Sequence, residues 1–169
     1  MRLTIVVAMD RNRVIGKNGD IPWAGKLRAD MEHFKQFTMG KVVVMGRKTY
    51  DSIPARFKPL SGRENIVLTK NLEFKALGCA VFHEVEPVEM ISVSREVCVL
   101  GGAEIYKLFF EATDELIVTE VDTEVLGGDT FFPEILPVEW DRRVLFRQEV
   151  DEKNQFSFTV CQYTRVLEM

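Results

Sequence analysis

Apolar residues along the chain fall into short continuous runs and into stripes with helical spacing. Runs of mostly aliphatic residues are typical of buried strands, and they occur at residues 3–9, 41–45, 65–69, 79–82, 97–100 and 115–121. Apolar positions three and four residues apart predict helices at 27–37, 47–53 and 103–110, and a weaker one at 87–93. Polar loops are predicted at 10–26 and 54–63.

The order of these elements predicts the fold class. Strands that alternate with helices imply an α/β fold with a mainly parallel sheet covered on both faces. The runs 142–150 and 155–167 flank a polar turn at 151–154 and predict a C-terminal antiparallel β-hairpin. Because 169 residues suffice for one core, we expect a single domain over residues 1–169.

One carboxylate lies on the apolar face of the first predicted helix. Asp30 follows Leu27 by three residues and precedes Phe34 by four, so it shares their stripe with Met31 and Phe37. A carboxylate against an apolar wall is costly unless something binds it, which makes Asp30 a candidate functional acid. The ordinary alternative is a first-turn carboxylate that reaches water.

Two predicted strands run through glycine directly into predicted helices. Gly46 is followed by Arg47 and Lys48, and the second turn is Gly101-Gly102. Glycine lets a ligand approach backbone N–H groups, and an anion at a helix start offsets the unfavourable placement of cations there. Solvated cations and a simple tight turn are the ordinary alternatives. Two such turns at the carboxyl ends of parallel strands indicate a ligand with separated phosphates, such as a dinucleotide.

A third strand end adds further candidate phosphate ligands. Thr69 and Lys70 lie at the end of the predicted strand 65–69, and Lys70 together with Arg47 would serve an additional phosphate, which favours NADP over NAD. Neither glycine turn matches the GxGxxG or Walker pattern, so the families defined by those motifs are not indicated.

Composition narrows the possible partners. The net charge of −4 argues against general binding to nucleic acid or anionic membranes. The apolar run 3–9 is too short to span a bilayer and no small-residue cleavage site follows it, so we expect a cytoplasmic protein. Three scattered cysteines (Cys79, Cys98, Cys161) and two unpaired histidines (His33, His83) predict neither a metal site nor a Ser-His-Asp triad.

Taken in order, the motifs resemble those of dihydrofolate reductase. They are Ile21-Pro22-Trp23, Asp30 with Phe34, Met45-Gly46-Arg47-Lys48-Thr49, Gly101-Gly102-Ala103-Glu104-Ile105-Tyr106 and Gly128-Asp129-Thr130-Phe131-Phe132-Pro133. The resemblance extends from Leu3 to Leu167. It implies a mixed sheet of eight strands with four helices, and a monomer that binds NADPH, dihydrofolate and antifolate inhibitors. The implied reaction transfers a hydride to C6 of 7,8-dihydrofolate and a proton to N5, giving the tetrahydrofolate used in one-carbon metabolism.

The resemblance also implies roles for particular residues. Asp30 would bind the pterin N3 and 2-amino group with support from the Thr119 hydroxyl, Ile21 and Tyr106 would lie near the nicotinamide, and Arg63 would bind the α-carboxylate of the glutamate tail. The implied substrate-binding residues are Val6, Val7, Ala8, Asp30, Met31, Phe34, Lys35, Ile53, Arg56, Leu60, Arg63, Leu100 and Thr119. The implied cofactor-binding residues are Ala8, Val14, Ile15, Gly16, Gly19, Asp20, Ile21, Trp23, Gly46, Arg47, Lys48, Thr49, Leu68, Thr69, Lys70, Leu100, Gly101, Gly102, Ala103, Glu104, Ile105, Tyr106 and Thr130.

Loop features follow from the same resemblance. The loop 10–26 would be a lid, and Gly128 and Asp129 in the loop 123–133 would hydrogen-bond the closed lid. The Gly101–Gly102 peptide would be cis. The chain departs from many bacterial relatives in a longer segment between Trp23 and Asp30, a longer loop at 54–61, and a glutamate at 104 where some relatives have a basic residue.

Three other readings of the sequence remain open. A reductase of the same fold that acts on a pyrimidine of riboflavin synthesis would share the cofactor turns, but not Asp30 in its setting after Pro22-Trp23. A nucleotide-binding module without catalysis would not need Asp30, Thr119 and Tyr106 together. A purely structural domain would leave the carboxylate and the cationic helix start without partners.

Overall fold

The computed structural model describes residues 1–166, which contain ten β-strands, four α-helices and one short 3-10 helix at Ala55–Phe57. The strands are β1 (Leu3–Met9), β2 (Val14–Gly16), β3 (Val42–Gly46), β4 (Glu64–Leu68), β5 (Cys79–Phe82), β6 (Val97–Val99), β7 (Glu115–Val121), β8 (Thr130–Phe131), β9 (Trp140–Gln148) and β10 (Phe158–Arg165). The helices are α1 (Arg28–Thr38), α2 (Arg47–Ser52), α3 (Glu86–Ser92) and α4 (Ala103–Phe110).

Eight of these strands form one mixed sheet in the order β5-β4-β3-β6-β1-β7-β10-β9. The pairs β1 with β6, β3 with β6, β3 with β4 and β4 with β5 are parallel, whereas β10 pairs antiparallel with β7 and β9. The predicted class, a mainly parallel eight-stranded sheet with four helices and a C-terminal antiparallel hairpin, is therefore confirmed. β2 and β8 form a separate two-stranded antiparallel sheet.

The chain divides into two compact units. Among the described residues, the first comprises 1–5 and 38–114, and the second comprises 6–37 and 115–166. In the first unit β5, β4, β3 and β6 are parallel neighbours, and every residue of β3 and β6 is buried. Parallel strands place their carboxyl ends at one edge of a sheet, so the segments that follow β3, β4 and β6 lie side by side.

The second unit has its own apolar core. Its buried residues come from the segment before α1, from β7 and from β10: Trp23, Leu27, Ile117, Val121, Phe158 and Val160. Alternate residues of β7 point to the same face. Thr119, between Ile117 and Val121 in that alternation, therefore faces the same side as this core.

The structure corrects several sequence-based details. Strands β2 and β8 were not predicted, because strands of three and two residues are too short to show a period. Met31, which the sequence places on the apolar stripe of the first helix, is 57% exposed. The predicted second hairpin strand extends to residue 167, which lies outside the described residues. Within those residues, no helix has the length and apolar character required to cross a membrane.

Candidate active site

The carboxylate of Asp30 is bound from the neighbouring strand of the second unit. The Thr119 hydroxyl of β7 donates to Asp30 Oδ1 across 2.6 Å. Oδ2 has no hydrogen-bond partner within residues 1–166, and it is not among the fully enclosed polar atoms that lack one. One carboxylate oxygen is thus fixed by the protein while the other is accessible to a ligand.

Burial raises the pKa of Asp30 above its ordinary value of 3.8, and the hydrogen bond from Thr119 offsets only part of that rise. A donor that binds the charged form would lower the pKa again. A carboxyl group with this combination of burial and one open oxygen suits a ligand that presents an N–H donor, because such a ligand replaces the water that ionisation requires.

Helix α1 surrounds this carboxylate with side chains of different character. Phe34 is half-buried, whereas Met31 and Lys35 are exposed on the same helix. His33 packs against Phe146, with ring centroids 5.2 Å apart, and burial lowers its pKa. An exposed methionine next to a buried carboxylate suits the wall of an open pocket, since Met adapts to irregular apolar surfaces.

The predicted lid, residues 10–26, is held to the loop 123–133 by hydrogen bonds. The Asn18 N–H donates to Asp129 Oδ2 across 2.9 Å, and the Asp129 N–H donates to the Gly16 carbonyl across 3.1 Å. Lys17 Nζ donates to the Leu126 carbonyl across 2.7 Å. An added Cβ at Gly128 would lie 2.5 Å from Val14 Cγ1, so only glycine permits this approach.

Asp10, the first residue of the predicted lid, links the lid to the loop 123–133. Its buried carboxylate accepts the backbone N–H groups of Asn12 and Val14 on Oδ1 and that of Val125 on Oδ2, each across 2.8 Å. Asp10 was not predicted as a functional residue. An aspartate that directly ends a buried apolar strand was the available signal, since a buried carboxylate needs several donors.

The two glycine turns of the first unit touch each other. The Gly46 N–H donates to the Gly101 carbonyl across 2.8 Å, and the Gly101–Gly102 peptide is cis, as the resemblance implies. Gly101 has φ +106°, and a Cβ there would lie 2.9 Å from the Tyr106 ring. At Gly102 an added Cβ would meet nothing nearer than Thr49 Oγ1 at 3.7 Å. Gly101 is therefore required by the backbone, whereas the space at Gly102 is open.

Tyr106 closes this turn from helix α4. Its hydroxyl donates to the Leu100 carbonyl across 2.9 Å, and burial raises its pKa. The phenol therefore remains protonated at physiological pH and serves as a fixed donor to the backbone.

Cations lie at the ends of the adjacent strands. Arg47 and Lys48 directly follow β3, Lys70 lies two residues past the end of β4, and all three are exposed. The Arg47 guanidinium lies 5.1 Å from the Phe74 ring centroid and 3.5 Å from Asp51 Oδ2. Because α2 has only six residues, side-chain charge rather than the helix dipole would attract an anion there.

Arg63 is held by its own loop and by the end of α1. Its Nε donates to the Ser61 carbonyl across 2.9 Å and its Nη1 to the Thr38 hydroxyl across 3.1 Å. Burial lowers its pKa, but a guanidinium stays charged. Arg56, by contrast, is exposed and lies over the Phe57 ring.

Burial divides the remaining predicted site residues into three groups. The buried ones are Val7, Val14, Trp23, Gly46, Leu68, Gly101, Tyr106 and Thr119. The half-buried ones are Val6, Ala8, Ile15, Gly16, Thr49, Ile53, Leu60, Thr69, Leu100, Gly102, Ala103, Ile105 and Thr130. The exposed ones are Gly19, Asp20, Ile21 and Glu104. Trp23 belongs to the apolar core of the second unit, and Ile21 is 54% exposed.

Comparisons with known proteins agree with these observations. Residues 2–165 match the family model described as "Dihydrofolate reductase". The chain is 37% identical over 166 residues to a dihydrofolate reductase of Haemophilus influenzae, covering 98% of this chain and 99% of that protein. It is 34% identical over 167 residues to one of Staphylococcus haemolyticus, covering 98% and 97% of the two chains. A solved dihydrofolate reductase from Enterococcus faecalis, complexed with NADP(H) and RAB-propyl, superimposes with a TM-score of 0.85 at 35% identity over 96% of this chain and 95% of that one.

Proposed function

Since the chain belongs to the dihydrofolate reductase family, whose members reduce 7,8-dihydrofolate to 5,6,7,8-tetrahydrofolate with NADPH, we propose that Asp30 binds the pterin and controls its protonation. The observation that carries this role is the partly buried carboxylate with Oδ1 fixed by Thr119 and Oδ2 open. Neither the riboflavin-pathway reductase nor the binding-module reading is favoured by any of the comparisons.

The residues of the first unit fit NADPH. The turn at Gly101 and Gly102 leaves open space where a side chain would otherwise stand, and it precedes helix α4. Backbone N–H groups at this helix start, with Thr49 alongside, would bind the pyrophosphate. Arg47, Thr69 and Lys70 would bind the 2′-phosphate, because β3 and β4 are parallel neighbours and end at the same edge. When bound, NADPH supplies the hydride that is added to C6.

Side chains of this protein would bind and orient the substrate and exclude water. Asp30 would accept hydrogen bonds from pterin N3 and the 2-amino group, which orients the ring and favours proton addition at N5 from solvent. The lid with Ile21 would exclude bulk water from the reacting atoms. Arg63 would bind the α-carboxylate of the glutamate tail with the N–H groups that its loop leaves available.

We also propose that residues 1–169 act as one catalytic domain, as a monomer in the cytoplasm without a nucleic-acid partner. The three free cysteines, of which Cys98 and Cys161 are buried, suit a reducing compartment. The net charge of −4 disfavours nucleic acid. Dihydrofolate and antifolate inhibitors are the small-molecule ligands that the pocket around Asp30 would take.

The test follows NADPH oxidation by near-UV absorbance, with and without dihydrofolate, for the wild type and for Asp30→Asn. We expect oxidation that depends on dihydrofolate and a fall in kcat of about 10²- to 10⁴-fold in the variant at neutral pH. A folded Asp30→Asn variant with the wild-type rate across the pH range would refute the role of Asp30. Oxidation driven by a riboflavin-pathway pyrimidine, but not by dihydrofolate, would point to the alternative reductase.

A further inference from the structure

Helix α1, which carries Asp30, begins without a capping side chain of its own. The Leu27 carbonyl accepts the first intrahelical hydrogen bond, from the Met31 N–H across 3.2 Å, so Leu27 occupies the N-cap position. Leucine has no side-chain acceptor. The backbone N–H groups of Arg28 and Ala29 must therefore find partners elsewhere.

Both partners come from the turn of the C-terminal hairpin. The Ala29 N–H donates to Asn154 Oδ1 across 2.9 Å, over a separation of 125 residues, and the Arg28 N–H donates to the Lys153 carbonyl across 3.2 Å. The Gln155 N–H donates in return to the Lys26 carbonyl across 2.8 Å. The turn thus supplies, from a distant part of the chain, the cap that a local Ser, Thr, Asp or Asn normally provides.

The side chain of Asn154 is itself locked in place. Only 4% of the residue is exposed. Its Nδ2 donates to Asp151 Oδ1 across 2.9 Å, and the same oxygen accepts the backbone N–H groups of Lys153 and Asn154, each across 2.8 Å. These bonds lower the pKa of Asp151, chiefly through the Asn154 amide, so Asp151 stays ionised and keeps the turn folded. The acceptor that faces α1 is consequently rigid.

We propose that Asn154 is a positioning residue for the reaction: its Oδ1 fixes the first turn of α1 and so the direction of the Asp30 carboxylate. Asp30 directly follows the capped residue Ala29, and its Oδ1 is already bound to Thr119 on β7. With α1 held at its start and the carboxylate held at one oxygen, the other oxygen has a single orientation. This inference rests on the role proposed above for Asp30.

Loss of the cap affects binding of the pterin more than binding of NADPH. Without the acceptor, the first turn of α1 frays and Asp30 samples other orientations, which weakens its two hydrogen bonds to the substrate. We expect Asn154→Ala to raise the KM for dihydrofolate about fivefold, with a comparable fall in kcat, and to leave the KM for NADPH unchanged. A variant that only lowers the folded fraction would reduce kcat and change neither KM.

The experiment compares Asn154→Ala with two other variants of the same turn. Asn154→Asp keeps an acceptor oxygen for the Ala29 N–H but loses the Nδ2 donor to Asp151 Oδ1, so the KM for dihydrofolate should lie between the values of the wild type and of Asn154→Ala. Glu152→Ala is the matched control, because the exposed Glu152 side chain makes no hydrogen bond or ion pair within the described residues, and its kinetic constants should equal those of the wild type.

Amide hydrogen exchange tests the cap independently of activity. Asn154→Ala should speed the exchange of the Ala29 amide, which donates to Asn154, and of the Met31 amide in the first turn, and leave the amides of β10 protected. Unchanged exchange at Ala29 would overturn the cap. Faster exchange with an unchanged KM for dihydrofolate would overturn the positioning role, provided that Asp30→Asn does raise that KM. If Asp30→Asn changes neither kcat nor the KM for dihydrofolate, the proposed function of Asp30 fails and the positioning role fails with it.

Discussion

The two compact units offer a ligand different kinds of group. In residues 38–114 the candidate binding surface is backbone: two glycine turns joined by the Gly46–Gly101 hydrogen bond, with exposed cations at neighbouring strand ends. In residues 6–37 and 115–166 it is one partly buried side chain, Asp30, whose orientation depends on Thr119 and Asn154. Backbone groups suit phosphates, which many ligands share, whereas a buried carboxylate selects a particular ring. The glycine turns therefore suit recognition of a general cofactor, and Asp30 suits discrimination between substrates.

The largest expected effect distinguishes Gly102, which leaves space for a ligand, from Gly101, which the backbone conformation requires. Gly102→Ala should place a methyl group in open space, so NADPH affinity should fall about 10- to 100-fold while the free energy of unfolding stays within about 0.5 kcal/mol of the wild type. Gly101→Ala should lower the free energy of unfolding by about 1–3 kcal/mol, since φ is +106° and the Tyr106 ring is 2.9 Å away. Urea unfolding and NADPH fluorescence titration measure both. Equal losses of stability in the two variants would contradict this distinction.

The equivalent change in the second unit is Thr119→Val. It removes the hydroxyl that donates to Asp30 Oδ1 across 2.6 Å, and hydrogen bonds to charged groups contribute about 1.5–3 kcal/mol. We expect dihydrofolate affinity to fall about tenfold or more, the pKa of Asp30 to rise further, and NADPH affinity to stay unchanged.

Thr164→Val, on the exposed side of β10, is the control for Thr119→Val. Both variants exchange a strand hydroxyl for a methyl group, but only Thr119 contacts the carboxylate. A similar loss of NADPH affinity in Thr119→Val would show that the two units do not bind their ligands through separate groups.

A smaller effect tests the cations of the first unit. Arg47→Ala and Lys70→Ala should each weaken NADPH about tenfold and NADH much less, because only NADPH carries the 2′-phosphate. Arg95→Ala is the control, since Arg95 lies just before β6 and hence at the amino ends of the parallel strands. An equal loss of affinity for NADPH and NADH would contradict the proposal that Arg47 and Lys70 bind the 2′-phosphate.

The smallest expected effect concerns stability rather than binding. Because burial raises the pKa of Asp30, the native state holds its proton more tightly than the unfolded chain does. Ionisation of Asp30 therefore lowers the free energy of unfolding as pH rises from 3.8 through the raised pKa, and the loss is complete above it. Asp30→Asn should be more stable than the wild type at neutral pH, and the difference should shrink as pH falls toward 3.8. A difference that is independent of pH would contradict the raised pKa.

Local patterns located most of the elements. The predicted bounds of β1, β5, α4 and β7 agree with the structure, because each has a continuous or periodic apolar pattern that depends only on its own burial. The glycine turns and Asp30 could likewise be located from the sequence. Glycine between a strand and a helix, and a carboxylate on an apolar stripe, both depart from the residue types usual at those positions. The pattern alone did not reveal the partner of Asp30, because Thr119 is an ordinary β-branched strand residue. Only the family resemblance implied the Thr119 hydroxyl, and the structure confirms that hydrogen bond.

The amino-acid sequence by itself determined the mainly parallel sheet, the antiparallel hairpin and the positions of the candidate acid and of both glycine turns, because these follow from burial and backbone preference within short segments. Only the tertiary structure decided which partners those groups have. Three hydrogen bonds show this: Asp30 with Thr119, Asp10 with Val125, and Ala29 of α1 with Asn154. The paired residues are 89, 115 and 125 positions apart along the chain. Hydrogen bonds over such separations depend on the path of the whole chain, and no local pattern records them.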